Sequence, residues 1–418
     1  MKKRWRAGLG GSLVALGLAV AGCTGPATPV PTPTADPWQD HGPIVFAVTR
    51  ATSTIWQQPV RSWNDAHPNE QVTLLELPDD NGSAIATRAE SGSGEYTVMS
   101  LDVNWTAEFA SKGWLAELPA RRFPTDAMIP AATTTGTYQG RLYAYPQSID
   151  ATVLRYRSDL LAKARQKVPT TWAEVKDTCA KVLSGTTGMA CFAGPYGSAS
   201  GLSTSFVGAV RSDGGQVVLD DGSPDVDSSP SIQALDTITQ GLSSGVIPAA
   251  ATGWSEQRLR QEFDASGLVY LQDWWASGPV VGEAPKSGVA PVPGMEGIGV
   301  SVQGGRNLGI AARATNKGTA ADFVNYLVTP DVQLLLAEKG WSAPVLSALY
   351  TDDKVLKAVP SLKVLSSVLE AAQPLLPSEH ERAAVQAIDE KLRPVLTGTD
   401  TPTEGLDALQ SQLEQLLK

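Results

Sequence analysis

Two places in this 418-residue sequence gather side chains that can hold a small polar molecule. In one, Asp102, Asn104 and Trp105 follow the apolar run Val98, Leu101 and Val103; in the other, Asp273, Trp274 and Trp275 directly follow Phe263 to Leu271. Carboxylates and amides offer hydrogen bonds, and indoles offer flat apolar faces. Apolar runs this short, with β-branched members, read as buried strands, and Thr106 to Lys112 then repeats apolar residues at helical spacing until Gly113. Asn104 or Thr106 can cap that helix. The chemistry therefore sits at a strand-to-helix turn, and in an open α/β sheet ligands bind beyond the carboxyl ends of the strands. A helix cap beside one half-buried Trp accounts for the first group equally well, so both readings stay open on these residues alone.

Competing chemistries lack their parts. Gly241-Leu242-Ser243-Ser244-Gly245 has the G-x-S-x-G spacing of a serine hydrolase, but it ends a helical pattern instead of joining a strand to a helix. The three His residues (His41, His67, His380) are scattered, which removes a catalytic triad and HExxH-type zinc sites, and no phosphate-binding glycine loop is present. Asp220, Asp221, Asp225 and Asp227 lack the spacing of a calcium loop and read as turn residues. No metal or cofactor is expected. Glycoside hydrolysis by paired carboxylates leaves no short motif and stands as the alternative reading, a surface-anchored carbohydrate-active enzyme.

The N-terminus carries an address. Lys2, Lys3, Arg4 and Arg6 form a basic region, Leu13 to Val20 an apolar one, and Val20-Ala21-Gly22-Cys23 a small-residue cleavage site. This resembles a bacterial lipobox, which implies removal of residues 1–22 and acylation of Cys23 to anchor the mature protein on the outer face of the membrane. Losing those four positive charges and no acid takes the formal net charge from −10 to −14, which argues against nucleic acid or anionic lipid as partner. Residues 23–42 are rich in Pro and Thr and read as a tether. With Cys23 lipidated, Cys179 and Cys191 are the remaining thiols in an oxidising compartment and are expected to pair.

From residue 43 onward strand and helix patterns alternate. Pro43 to Val48, Ile55 to Asn64 and Val72 to Leu77 make a βαβ unit. Residues 147–150 read as a polar joint before a strand at Ala151 to Tyr156, Thr170-Thr171-Trp172-Ala173-Glu174 opens a helix with capping-box spacing, and the chain is helical from Thr319 to its end.

The order of parts resembles the family 1 extracellular solute-binding proteins, the substrate-binding lipoproteins of bacterial ABC importers, in their trehalose- and maltose-type branch. The resemblance rests on the lipobox, LDVNWTAEFASKGWLAEL, the G-x-LYAYP segment leading to Asp150, LRYRSDLL, PTTWAEV, the two Cys, LQDWW, APVPG, GGRNLGIA and FVNYLVTPDVQ. It implies a two-lobe α/β fold with a hinge and a helical C-terminal part. The expected lobes are 43–149 plus 308–350 and 150–307 plus 351–418. A monomer without catalysis would close on sugar and deliver it to permease subunits. Carried over by position, Asp102, Asn104 and Trp105 would line the first lobe, Ser148 and Asp150 the joint, and Trp274, Trp275, Gly305, Arg306 and Asn307 the second. Carboxylates would accept from sugar hydroxyls while indoles stack on pyranose C–H faces. Ser148, Leu346 and the stretch Asn81 to Arg88 depart from the family pattern, so carbohydrate follows as a class and a particular disaccharide does not.

Overall fold

The apolar runs become strands of one mixed sheet in a computed structural model that describes residues 36–78, 81–91, 95–276, 286–376 and 379–417. The strands are β1 (Ile44–Thr49), β2 (Val72–Leu77), β3 (Val98–Asp102), β4 (Thr137–Tyr138), β5 (Arg141–Leu142), β6 (Ala144–Arg157), β7 (Ala190–Ala193), β8 (Leu268–Trp274), β9 (Ser287–Ala290), β10 (Val302–Ile310) and β11 (Gln373–Pro374). The sheet runs β2-β1-β3-β10-β6-β8-β7, with β11 on β10 and β9 on β6, while β4 and β5 form a separate hairpin. The expected βαβ unit is present: β1 and β2 pair in parallel and the helix Ser53–Ala66 connects them.

Strand alternation sorts the apolar side chains. Ile44, Phe46 and Val48 of β1 and Val98 of β3 face one core with Trp56, Phe323 and Leu327, whereas Ala47, Met99 and Leu101 face the other side with Phe109. A further core holds Phe192, Phe206, Leu235, Tyr270, Ile388 and Leu409. This is the two-lobe architecture expected. The passages of the chain between the first and last of these cores include Val153 to Leu154 in β6, Val302 to Leu308 in β10, and Leu369 to Leu375.

Three details differ from the sequence expectation. Residues 147–150 do not separate two strands; they lie inside the 14-residue strand β6. Their backbone is satisfied laterally, with β10 paired on either side of a bulge at Gln147, whose carbonyl accepts from Gln333 Nε2 at 2.8 Å. Helical residues Val355, Leu362, Leu365, Val368 and Leu369 pack in the first core, which does not coincide with a lobe boundary at 351. The compact body begins at Pro37, inside the expected tether. Trp38 meets Phe123 edge-on at 5.7 Å, and His41 Nδ1 lies 3.0 Å from Glu70 Oε2. The signal region, Cys23 and the rest of the tether to residue 35 lie outside the described residues.

Cys179 and Cys191 are bonded, with Cα atoms 5.5 Å apart, joining the helix Trp172–Val182 to β7. Cross-linking a loop of this size contributes roughly 3 kcal/mol in the chain-entropy account. Thr171 and Glu174 form the expected capping box, and Gly241 to Gly245 ends the helix Ser229–Ser243. No helix among the described residues is long and apolar enough to cross a membrane.

Candidate functional site

Strand β3 ends at Asp102, and the backbone turns through a 3-10 segment, Val103–Trp105, into the helix Thr106–Ser111. Asp102 Oδ1 accepts from Asn104 N at 3.1 Å, so the residue does cap the turn. It also lies opposite Arg306 in the antiparallel register of β3 and β10. Arg306 donates from Nε to Ser100 Oγ at 2.9 Å and from Nη2 to the Ser100 carbonyl at 2.8 Å, which holds the guanidinium along the strand end. Burial pushes the Asp102 carboxyl above its ordinary range against the attraction of Arg306, and burial lowers Arg306 against that of Asp102. Both side chains nevertheless reach solvent in part. An acid and a base surrounded by protein yet partly exposed are candidates to meet a small polar molecule.

The second lobe brings an indole to the same strands. Trp274 ends β8 opposite Thr152 of β6. A Cβ on Gly304 would stand 2.5 Å from Trp274 Cζ3, so the missing side chain is what lets the ring lie against β10. Gly305 follows with φ +125°, and a Cβ there would meet the Ser148 carbonyl at 2.3 Å. Ser148 Oγ accepts from Arg306 N at 3.0 Å and so braces the arginine backbone. Asn104 and Trp105 are partly exposed at the start of the neighbouring turn, the indole of Trp105 stacked 6.3 Å from Phe109.

Other expected residues do structural work here. Asp150 Oδ1 accepts from the backbone N–H groups of Ala151 (2.7 Å), Trp275 (3.1 Å) and Ala276 (3.3 Å), fastening the exit of β8 to the crossing strand. Its carboxyl is pushed up to about 7 by burial, against those hydrogen bonds. Trp275 is buried in the first core, turned away from Trp274, which packs on the second. Asn307 is fully buried and donates to Thr106 Oγ1 and the Thr135 carbonyl, both at 2.9 Å. Asp273 is buried against Arg155 (3.3 Å) and Arg260 (3.7 Å).

Sequence reasoning missed Glu256, on the first turn of the helix Glu256–Asp264, whose Leu259 and Phe263 pack in the second core. Burial raises its carboxyl, and the charges of Asp273 and of Asp102 from the first lobe add to the rise against Arg260. The charges of Glu256 and Asp102 thus act on each other, and Glu256 is partly exposed, which makes it a candidate to meet a solute. In the sequence it looks like any acid stabilising a helix N-terminus, beside its cap Ser255.

Residues 47–334, more than half of the chain, match the family of bacterial extracellular solute-binding proteins. This chain belongs to that family. A probable ABC transporter-binding protein of Deinococcus radiodurans is 29% identical over 368 residues, 82% of this chain and 86% of that one. Maltose-bound MalE3 of T. maritima is similar with a TM-score of 0.83 at 26% identity, covering 90% of this solute-binding protein and 99% of that chain. The GacH receptor of Streptomyces glaucescens, solved unliganded and with acarbose, is similar with a TM-score of 0.80 at 25% identity, covering 90% and 98%. The family and these neighbours are solute-binding proteins of transport, not enzymes, and this solute-binding protein shares the fold of their sugar-binding members.

Proposed function

We propose that this solute-binding protein is the carbohydrate receptor of an ABC importer, a lipoprotein anchored through Cys23 that closes two lobes over a di- or oligosaccharide and presents it to the permease. The observation carrying the proposal is the convergence of the half-wet Asp102–Arg306 pair and the Trp274 indole where β6 and β10 pass between cores. Charged hydrogen-bonding groups beside a flat apolar face suit a pyranose, whose hydroxyls ring its edge and whose C–H bonds line its faces. Asp102, Asn104, Trp105 and Arg306 supply the first wall, Trp274 and Glu256 the second; Ser148 and Asn307 brace the first wall through the Arg306 backbone and Thr106, Gly305 lets β10 lie close to Ser148, and Asp150 fastens the exit of β8 to β6. In this proposal the lobes are residues 37–149 with 308–369, and 154–302 with 375–417, a division that the apolar cores support except at Trp275, which packs in the first core. The maltose and acarbose held by its two structural neighbours support a glucose-type oligosaccharide.

A thermal-shift screen of mono-, di- and trisaccharides, followed by calorimetric titration of the best, tests the reading. A sugar at 100 times its dissociation constant should add about 2.7 kcal/mol of stability. Stoichiometric binding without products is expected; turnover of a labelled oligosaccharide would replace the receptor by an enzyme.

A further inference from the structure

Away from the sugar-facing side chains, two polar bridges join the lobes. Arg382 donates to Glu108 through both arms of its guanidinium, Nε to Oε2 at 2.7 Å and Nη2 to Oε1 at 3.1 Å. Lys112 adds a third donor to Oε1 at 2.7 Å. Nearby in sequence, the Tyr138 hydroxyl donates to Glu379 Oε2 at 2.8 Å. Glu108 lies on the helix whose Phe109 packs under the first lobe's sheet, and Tyr138 on the β4–β5 hairpin, whereas Arg382 opens the helix Glu381–Leu396, whose Ala384, Ala387 and Ile388 pack in the second core. The two partners stand 274 residues apart and belong to different lobes.

We propose that Glu108 and Arg382, backed by Tyr138 and Glu379, are positioning residues that latch the closed state: the pair forms when the lobes close and parts when they open, so it adds affinity without touching sugar. The inference rests on the closure reading above. Its chemistry suits a contact that must be remade in every cycle. A permanent lobe interface would be apolar, and opening it would expose apolar surface to water. A charged seam is rehydrated on opening, and this offsets most of the Coulombic loss. The two-pronged geometry still makes the closed arrangement specific. Glu108 is well placed to report the cleft, since it sits one helical turn beyond Trp105 in the element that begins at Asp102. Arg382 follows Glu381, a buried acid on which the charge of Asp102 acts. Burial raises the Glu108 carboxyl, but the hydrogen bonds from Arg382 and Lys112 outweigh it and hold the group below its ordinary range. The latch therefore stays charged through neutral pH.

The test uses Glu108→Gln, Arg382→Met and the double variant of the full mature chain, with maltose as the probe. Each single variant is expected to weaken maltose affinity about tenfold, equivalent to ~1.4 kcal/mol, chiefly through faster dissociation, and the double variant no further. The ligand-free melting temperature should stay within about 2 °C of wild type, because the open form does not hold the pair. Unchanged affinity overturns the latch. So does a ligand-free melting temperature lowered as far as the maltose-bound one, which would make the pair a permanent strut. Should the wild type neither bind maltose nor contract with it in small-angle scattering, the maltose-type closure reading fails by itself; the ligand-free melting temperatures then decide between latch and strut.

Discussion

Gly304→Ala puts the stacking arrangement to a test that touches no polar group. The new methyl carbon would stand 2.5 Å from Trp274 Cζ3, 2.9 Å from Cη2 and 3.1 Å from Cε3. Carbon atoms in comfortable contact lie about 3.5–4.0 Å apart, so the indole must retreat by about 1 Å. Strand β10 cannot move instead, because β3 and β6 pair with it on both sides. The ring is rigid and half-buried, and it is proposed to stack on the sugar. Overpacking of this kind typically costs ~1–3 kcal/mol of stability. Displacing the stacking face by a third of a ring thickness should weaken sugar affinity roughly tenfold to a hundredfold, about 1.4–2.8 kcal/mol. Calorimetric titration of wild type, Gly304→Ala, Trp274→Ala and the double variant reads the effect as a cycle. With the indole gone the methyl group has nothing to strike, so Gly304→Ala should be close to neutral for affinity in the Trp274→Ala background. Additive losses, or an unchanged dissociation constant in Gly304→Ala, would refute the stacking geometry.

Asp102→Ala should weaken binding of the same sugar by on the order of 1–3 kcal/mol, because its hydroxyls lose a desolvated acceptor; calorimetry showing full affinity in a folded variant would move the site elsewhere. Trp38→Ala should lower the melting temperature, since the ring packs on Phe123, and leave sugar affinity unchanged, as paired melting and titration curves can establish. Asp150 keeps its proton up to about pH 7 in the folded chain but only to near its ordinary 3.8 when unfolded. Its contribution is therefore fully present below about pH 4 and is lost as pH rises through 7. Wild-type stability should accordingly fall more steeply between about pH 4 and 7 than that of Asp150→Asn in urea titrations, and parallel profiles would count against a carboxyl titrating at this position. Cys23→Ser should release the protein from membrane fractions, and persistent attachment would show that another anchor exists.

Local rules carried the sequence a long way. Periodicity marked the helical C-terminal part, and the S/T-x-x-E spacing at Thr171 became a capping box, because a helix and its cap are closed by neighbours three or four positions apart. The turn after β3 was legible for the same reason, although its cap is Asp102, which accepts from a backbone N–H two residues away, and not Asn104 or Thr106. Direction was not legible. Trp274 and Trp275 are adjacent and chemically identical, yet at the end of a strand successive side chains leave on opposite faces, so one packs beside the cleft and the other in the first core. Asp150, Asn307 and Asp273 looked like ligand contacts because their types are right; their actual partners are backbone amides, a buried threonine and two arginines supplied by other elements. Burial in the middle of a crossing strand likewise turned a polar joint at 147–150 into continuous sheet, since β10 satisfies its backbone from the side. Glu256 and the Glu108–Arg382 bridge had no sequence signature at all, because what distinguishes them from ordinary surface acids and bases is a charge brought close by folding, from as far as 274 residues away. Composition and period thus determined the elements, whereas the packing of two lobes about their shared crossings decided which polar side chains are left to meet a solute.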